Sequence, residues 1–296
     1  MNAKVYAARF SVGSNTVLVI GKLVIGLAIG SVSVTSEAIH SAIDLVAAVI
    51  ALFSVRVSSR PADQQHRYGH GKVENLSALV EGVLIIIAAI WIVVEAINKL
   101  RTGHEAPPVL LGIAIMGVSS TLNWFVSGYL FKVAKKEDSM ALQADALHLR
   151  TDVWTSLGVF GGLILVHFTG FAWLDPVVAL LVAVMITKAG WELCAEALSP
   201  LVDARLPEEE EREIIRLIEQ HRGDYIQFHD LRTRRAGAER HIDFHLVVDG
   251  RRPLDEVHDV CDRIEREVLG QFPAAHVLIH AEPSMELAEQ EPAKEA

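Results

Sequence analysis

Residues 36–53, SEAIHSAIDLVAAVIALF, and residues 144–166, ADALHLRTDVWTSLGVFGGLILV, decide how this chain is read. Each stretch is apolar enough to lie in a membrane. Each also carries a His and an Asp four residues apart, His40 and Asp44 in the first, His148 and Asp152 in the second. Four residues is about one helical turn, so each pair points the same way from its helix. The polar stripes run further, as Glu37, His40, Asp44 and as Asp145, His148, Asp152, both following i, i+3, i+7. An ionisable group inside a membrane helix costs on the order of 2.5–3.5 kcal/mol even on the mild insertion scale, and marks a functional position by default. Two such faces brought together offer two imidazoles and two carboxylates, a tetrahedral set for one divalent cation. The plain alternative is a pair of polar contacts within a helix bundle. Two matched His-x-x-x-Asp pairs at similar depth weigh against it, and point to a membrane protein that moves or senses a metal ion.

The remainder of the chain supplies the setting. It has 296 residues, 51% of them hydrophobic, and a net charge of -10. The average hides two halves. Up to about Leu198 the sequence is mostly long apolar runs; after Pro200 it is charged and ordinary for a soluble domain. A chain this acidic is a poor candidate for nucleic-acid binding. Its two cysteines, Cys194 and Cys261, make neither a disulfide framework nor a C-x-x-C metal site. Apolar segments of spanning length, roughly 17–25 residues, fall near 10–30, 34–56, 76–98, 108–131, 141–168 and 174–197, which predicts a six-helix transmembrane domain over residues 1–202. The first segment is too long, and lacks the small-residue cleavage site, for a removed signal peptide. Arg56, Arg60, Arg67 and Lys72 crowd the loop between spans two and three, and Lys132, Lys135 and Lys136 the loop between four and five. By the positive-inside rule both termini are then cytoplasmic, which suits a multi-pass protein of the cell's inner membrane, embedded in lipid. Asp175-Pro176 reads as the cap and first position of the sixth helix.

Residues 203–285 read helix, strand, strand, helix, strand: a small cytoplasmic α/β domain of αββαβ order, ferredoxin-like or metallochaperone-like. Pro207 and a run of Glu suit a helix start. FHDLRTRRAG and ERHIDFHLVVDG form a hairpin around Gly237, PLDEVHDVCDRIEREVL is an amphipathic helix, and AHVLIHAEP is the third strand. Residues 286–296 have no apolar periodicity and read as a disordered tail.

Four protein ligands close a tetrahedron, whereas a catalytic metal keeps a position open for water. The membrane site therefore argues against a metalloenzyme. Imidazole and carboxylate bind metal only when deprotonated, so metal and protons compete for one site. If that site opens alternately to each side, metal moving one way is coupled to protons moving the other.

At this point the chain resembles the cation diffusion facilitator family of divalent-metal transporters. The resemblance covers about residues 8–285 and rests on RPADQQHRYGHGKVENLSAL (60–79), ADALHLRTD (144–152) and HDLRTR (229–234). It implies a homodimer that exports zinc or a related metal in exchange for protons. Many bacterial relatives have Asp where this chain has His40, and His there tends to accompany a preference for zinc over cadmium. Imidazole suits several transition metals, so zinc leads while cobalt and iron(II) stay open. Zinc would be cargo at the membrane site and structural or regulatory elsewhere.

The resemblance also favours a second metal site at Asp63, His66 and His70, in place of a merely solvated loop, and lets Lys72 and Glu74 pair with charges at helix ends such as Asp203. Six of the 13 histidines fall within residues 229–280. Alternation puts His241, Asp243 and His245 on one strand face and Ile242, Phe244 and Leu246 on the other. His276, Leu278, His280 and Glu282 share a face of the third strand. His241 and His245 are about 13 Å apart at roughly 3.3 Å per residue, too far to share an ion, whereas His245 and His280 on neighbouring strands can. The resemblance adds His229, His258 and Glu282 to that set. His241 and His276 receive no role, and His104, His167 and His221 are expected at surfaces or interfaces. The rival to a transporter is a membrane metal sensor that binds without transporting.

Overall fold

The computed structural model of the chain describes residues 3–29, 32–102, 110–171 and 173–284. The tail at 286–296 and His104 lie outside the described residues. The chain divides into two compact units, Met1–Leu198 and Ser199–Ala296.

The first unit is built of long helices: α1 (Ala3–Ile29), α2 (Val32–Ser58), α3 (Lys72–Thr102), α4 (Leu110–Glu137), α5 (Met140–Thr169) and α6 (Leu174–Leu201). At 1.5 Å per residue, even 27 residues reach about 40 Å, beyond a hydrocarbon core of about 30 Å. Among the described residues, the segments Ala3–Ile25, Lys72–Arg101 and Pro176–Leu201 are by themselves long and apolar enough to cross a membrane. α2 and α5 are as long. Pro176 falls in the first turn of α6, two residues later than the sequence places it. That turn leaves its N–H groups without intrahelical acceptors, so a missing donor costs nothing there.

The surface of this unit is inverted relative to a water-soluble protein. Leu27, Phe53, Trp91, Phe125 and Trp191 are exposed, as expected where lipid is the solvent and buries what water would reject. Small residues let the helices close: Ala7, Ala8, Ala134, Ala141 and Ala146 are fully or nearly buried where α1, α4 and α5 meet. α3 and α6 approach closely at Gly82 and Gly190. A Cβ at Gly190 would fall 2.9 Å from Ile86 Cγ1 and 3.2 Å from the Gly82 carbonyl oxygen. Arg150, the basic residue between the two polar positions of α5, lies 4.0 Å over the Trp124 ring of α4, a cation–π contact that answers its charge. At one end of the bundle the buried Glu74 carboxylate accepts hydrogen bonds from Lys4 Nζ at 3.2 Å, from Ser58 Oγ at 2.6 Å and from Ser139 Oγ.

The second unit comprises α7 (Glu208–Glu219), β1 (Gln227–Ala236), β2 (Glu239–Val248), α8 (Leu254–Gln271) and β3 (Ala275–Pro283), the αββαβ order read from the sequence. Four glutamates fill the first turn of α7, where the helix dipole favours negative charge. Gly237, at φ 65°, makes the tight turn of the hairpin that pairs Ala236 with Glu239. β3 lies parallel to β2, a connection too long for a turn and carried by α8. Ile242, Phe244, Leu246 and Val248 are buried against Ile214, Ile218, Val260 and Ile264. The helices thus cover one sheet face, and the histidines of β2 and β3 fall on the other. Asp203 pairs with Arg234 at 3.3 Å.

Two consequences are measurable. Gly190→Leu pushes α3 from α6, and overpacking of this kind costs about 1–3 kcal/mol; thermal unfolding in detergent should show a clear drop, and an unchanged midpoint would mean the helices can part freely. In the second unit, His241 stacks on His276 with ring centroids 5.1 Å apart. Its imidazole is held below the ordinary value, first by burial, then by Arg234 and His276, against the opposing pull of Asp243 and Asp203. With the folded value depressed, its contribution to stability is intact above the unfolded value of about 6.5. It is lost as pH falls from there through the folded value. His241→Asn should flatten that acid-side decline in a denaturant series from pH 7 to 5; parallel curves would exonerate His241.

Candidate metal centres

Among the described residues, three groups of His, Asp and Glu side chains are each close enough to hold a metal ion, with ligand atoms within 4.8 Å of one another. The deepest is Asp44 of α2 with His148 and Asp152 of α5. Helical spacing puts His148 and Asp152 on one side of α5, and the packing of α2 on α5 brings Asp44 to them. Asp44 Oδ1 and His148 Nε2 are 3.3 Å apart, and both residues are buried. His40 lies one turn before Asp44 on α2; its side chain is outside the described residues. The arrangement offers two carboxylates and one imidazole. Lys22 of α1 donates to Ser41 Oγ at 2.8 Å, bracing the same turn of α2.

The second group lies in the loop between α2 and α3. Asp63 Oδ1 accepts the backbone N–H groups of Gln65 at 2.8 Å and His66 at 2.7 Å, a local turn built on an Asp side chain. Gly69, at φ 76°, bends the chain back so that His70 Nε2 comes 3.3 Å from Asp63 Oδ2, with His66 Nδ1 3.5 Å from Oδ1. The Asp63 carboxyl is held below its usual range, first by the His66 backbone N–H, with Gln65 and the two imidazoles adding and partial desolvation opposing. The carboxylate is thus ready to ligate at any pH where the imidazoles are neutral.

The third group is made by strand register. His229 pairs with His245 across β1 and β2, and His245 with His280 across β2 and β3. Three imidazoles therefore cross the sheet in a row, with centroid spacings of 5.2 and 4.8 Å; the ligand atoms that all lie within 4.8 Å of one another are those of His229, His245 and Glu282, and His280 stands beside that set. The buried carboxyl of Glu282 lies among them, 2.7 Å from His245 Nδ1, 3.5 Å from His229 Nε2 and 3.7 Å from His280 Nδ1. A bulge after His229 turns Asp230 to φ 52° and brings its carboxylate 3.9 Å from His245 Nε2, a neighbour the sequence did not flag. His258 is not brought to this group within one chain; it is exposed on α8 beside Asp262, at 3.6 Å. The His221 ring is partly covered, with Nε2 3.1 Å from Glu267. The His167 side chain is outside the described residues.

One buried acid escaped the sequence reading altogether. Glu81 interrupts the apolar run of α3 and is fully buried. Its signal was present, since a lone Glu in ALVEGVLIII meets the same intramembrane criterion that picked out Asp44.

The geometry can be set beside known proteins. Residues 8–202 match the cation efflux transmembrane domain, and residues 206–284 the cytoplasmic domain of cation efflux proteins. The cation-efflux pump FieF of Yersinia pestis is 34% identical over 279 residues, 94% of this chain and 92% of that one. An uncharacterized transporter of Synechocystis is 35% identical over 254 residues, 86% of this chain and 82% of its own. A solved structure titled as a putative zinc transporter CzrB in its zinc form is 44% identical over 28% of this chain and 93% of that one, with a TM-score of 0.27. With both domains matched and relatives aligned nearly end to end, the chain belongs to the cation efflux family, the cation diffusion facilitators, and is a membrane transporter of metal cations, not an enzyme.

Proposed function

We propose that this protein exports a divalent metal, zinc foremost, from the cytoplasm across the cell's inner membrane in exchange for protons, as a homodimer with both termini cytoplasmic. The observation that carries this reading is the convergence of Asp44, His148 and Asp152 from two helices in the middle of the bundle. Mixed imidazole and carboxylate donors suit zinc in a tetrahedron. Cobalt and iron(II) accept the same donors and stand as the alternatives. The basic loops support the orientation.

The contact between α2 and α5 explains why protons take part. If Asp44 is ionised, the hydrogen bond at 3.3 Å needs its proton on His148 Nε2. A metal bound to that nitrogen must displace the same proton. The empty site is then held together by what the cargo expels. Acid on one side reloads the proton and lowers the metal's affinity there. The loop group and the sheet group would hold the same metal outside the bundle, where Glu282 and the His229–His245–His280 row support a resident or regulatory ion.

Flux into proteoliposomes across a panel of zinc, cobalt, iron(II), manganese and cadmium, with an acid-inside gradient, tests the transport reading. Zinc should move without nucleotide, and a protein that only senses metal would move none. Asp152→Ala should abolish flux while leaving a folded protein, because it opens the tetrahedron and also removes an intramembrane carboxylate. Near-normal flux in that variant would remove α5 from the site.

The sheet group has its own readout. The second unit, expressed from about residue 203, should melt at a higher temperature as zinc is added, since a ligand that prefers the folded form stabilises it by mass action. His245→Ala combined with His280→Ala should remove that zinc-dependent shift. A shift as large as in the parent domain would place the ion elsewhere.

A further inference from the structure

The bundle buries two carboxyl groups that ligate nothing in the group above. Glu81 of α3 and Asp145 of α5 are both 0% exposed. Neither oxygen of either side chain has a hydrogen-bond partner. The charged groups that face Glu81 are Asp145 and His148. Asp145 in turn faces His148 and Asp44, and the Ser11 hydroxyl of α1 comes near it without completing a hydrogen bond. From α6, the Cys194 thiol lies against this turn of α3, at Leu79 and Gly82. Among the described residues no lysine or arginine faces either carboxyl group.

A buried carboxylate without a hydrogen-bond donor is costly, and two like charges facing each other are costlier; the imidazole that faces both, His148, is already engaged by Asp44. A further positive charge between them relieves both costs. A shared metal fits poorly, because Glu81, Asp145 and His148 are not among the groups whose ligand atoms approach within 4.8 Å. A proton is small enough, needs no set of four ligands, and turns one acceptor-only carboxylate into a donor. The pair also sits where a proton would matter, since both carboxyls face His148, whose Nε2 meets Asp44 while Nδ1 is buried without a partner.

We propose that Glu81, set against Asp145, is the proton-holding residue of the antiport, carrying its proton while the metal site is empty and releasing it when a dication arrives. This rests on the proton-coupled reading above and assigns part of its proton count to a residue that is not a ligand. When metal binds at Asp44, His148 and Asp152, the Glu81 O–H bond breaks, the electron pair stays on the carboxylate, and the proton leaves to water. The new negative charge offsets half of the dication's charge within the bundle. On the acidic side the reverse step takes a proton from water, removes that offset and favours metal release.

The test is zinc binding to the full-length protein in detergent by calorimetry, in two buffers of different ionisation enthalpy, which counts the protons released. Glu81→Gln keeps the shape and removes the acid. It should bind the same number of zinc ions with an affinity within a few-fold of wild type, and release about one proton fewer per chain at saturation. Glu81→Asp should restore that proton. In proteoliposomes, Glu81→Gln should lose most of the acceleration that an acid-inside gradient gives the wild type. Equal proton release by wild type and Glu81→Gln overturns the assignment while leaving proton coupling standing. No release by the wild type overturns proton coupling and this assignment together. Should Glu81→Gln not fold, infrared difference spectra of the wild type decide the matter: zinc should abolish a protonated-carboxyl stretch, and a spectrum without that loss sinks the proposal.

Discussion

Between α2 and α5, Asp44 Oδ1 and His148 Nε2 meet at 3.3 Å, both nearly out of reach of solvent. At a protein surface such a pair contributes about 0–1 kcal/mol. Here each partner alone would be an unanswered polar group in an apolar bundle, so the pair is what makes either position tolerable. Much of the unit follows from keeping them together. α2 must pack on α5, which the small side chains allow. Arg150, two residues from His148, needs a different answer, and finds it over Trp124 on α4. The ligand helix is thus fixed in rotation from two sides, by an ion-pair partner on α2 and an aromatic ring on α4.

Three of the bundle's buried acids receive three different answers, and the differences sort their roles. Glu74 accepts bonds from Lys4, Ser58 and Ser139, so it ties α1, α2 and the start of α5 to α3. A carboxylate satisfied three times is held in place and unavailable. Asp44 has one imidazole, a long bond that a metal can replace. Glu81 has no hydrogen-bond donor, and the imidazole that faces it, His148, is already engaged by Asp44. The ranking from most to least satisfied runs from a structural tie, through the proposed ligand, to the proposed proton carrier.

The parts legible in the sequence are those in which helical or strand period alone fixes the geometry. His148 and Asp152 needed only i, i+4, and the apolar face of β2 only alternation. The row of His229, His245 and His280 needed more, because it depends on the register of three strands, and the Asp230 bulge that supplies an extra carboxylate lies in no motif. Glu74 and Asp203 were candidates by charge alone, and the structure shows Glu74 bound to Lys4 and Asp203 to Arg234. Charge identifies candidates for pairing, while packing selects among them. The apolar segments were also read shorter than the helices. The reading 76–98 stops where hydropathy fades, but α3 runs Lys72–Thr102, because its backbone hydrogen bonds continue into water at little cost. Glu81 was missed for the opposite reason. A single acid in a long apolar run has no partner in sequence, and only burial shows that it has none in space.

Exposure separates the three metal groups kinetically. Asp63 and His66 are about half exposed, so an ion there exchanges directly with water. In the sheet group His280 is open while Glu282 is buried, which leaves one accessible side. Asp44 and His148 are each below 9% exposed, and an ion held by them can leave only when helices move. In the proposed exporter, the loop and sheet groups therefore equilibrate with the metal around them, and the membrane group commits to a direction. A site that exchanges freely can report concentration but cannot work against a gradient. A site that exchanges only through a conformational change can do both, provided the change is tied to something that differs between the two sides. In the mechanism proposed above, the protons on His148 and on the carboxyl groups that face it are that difference.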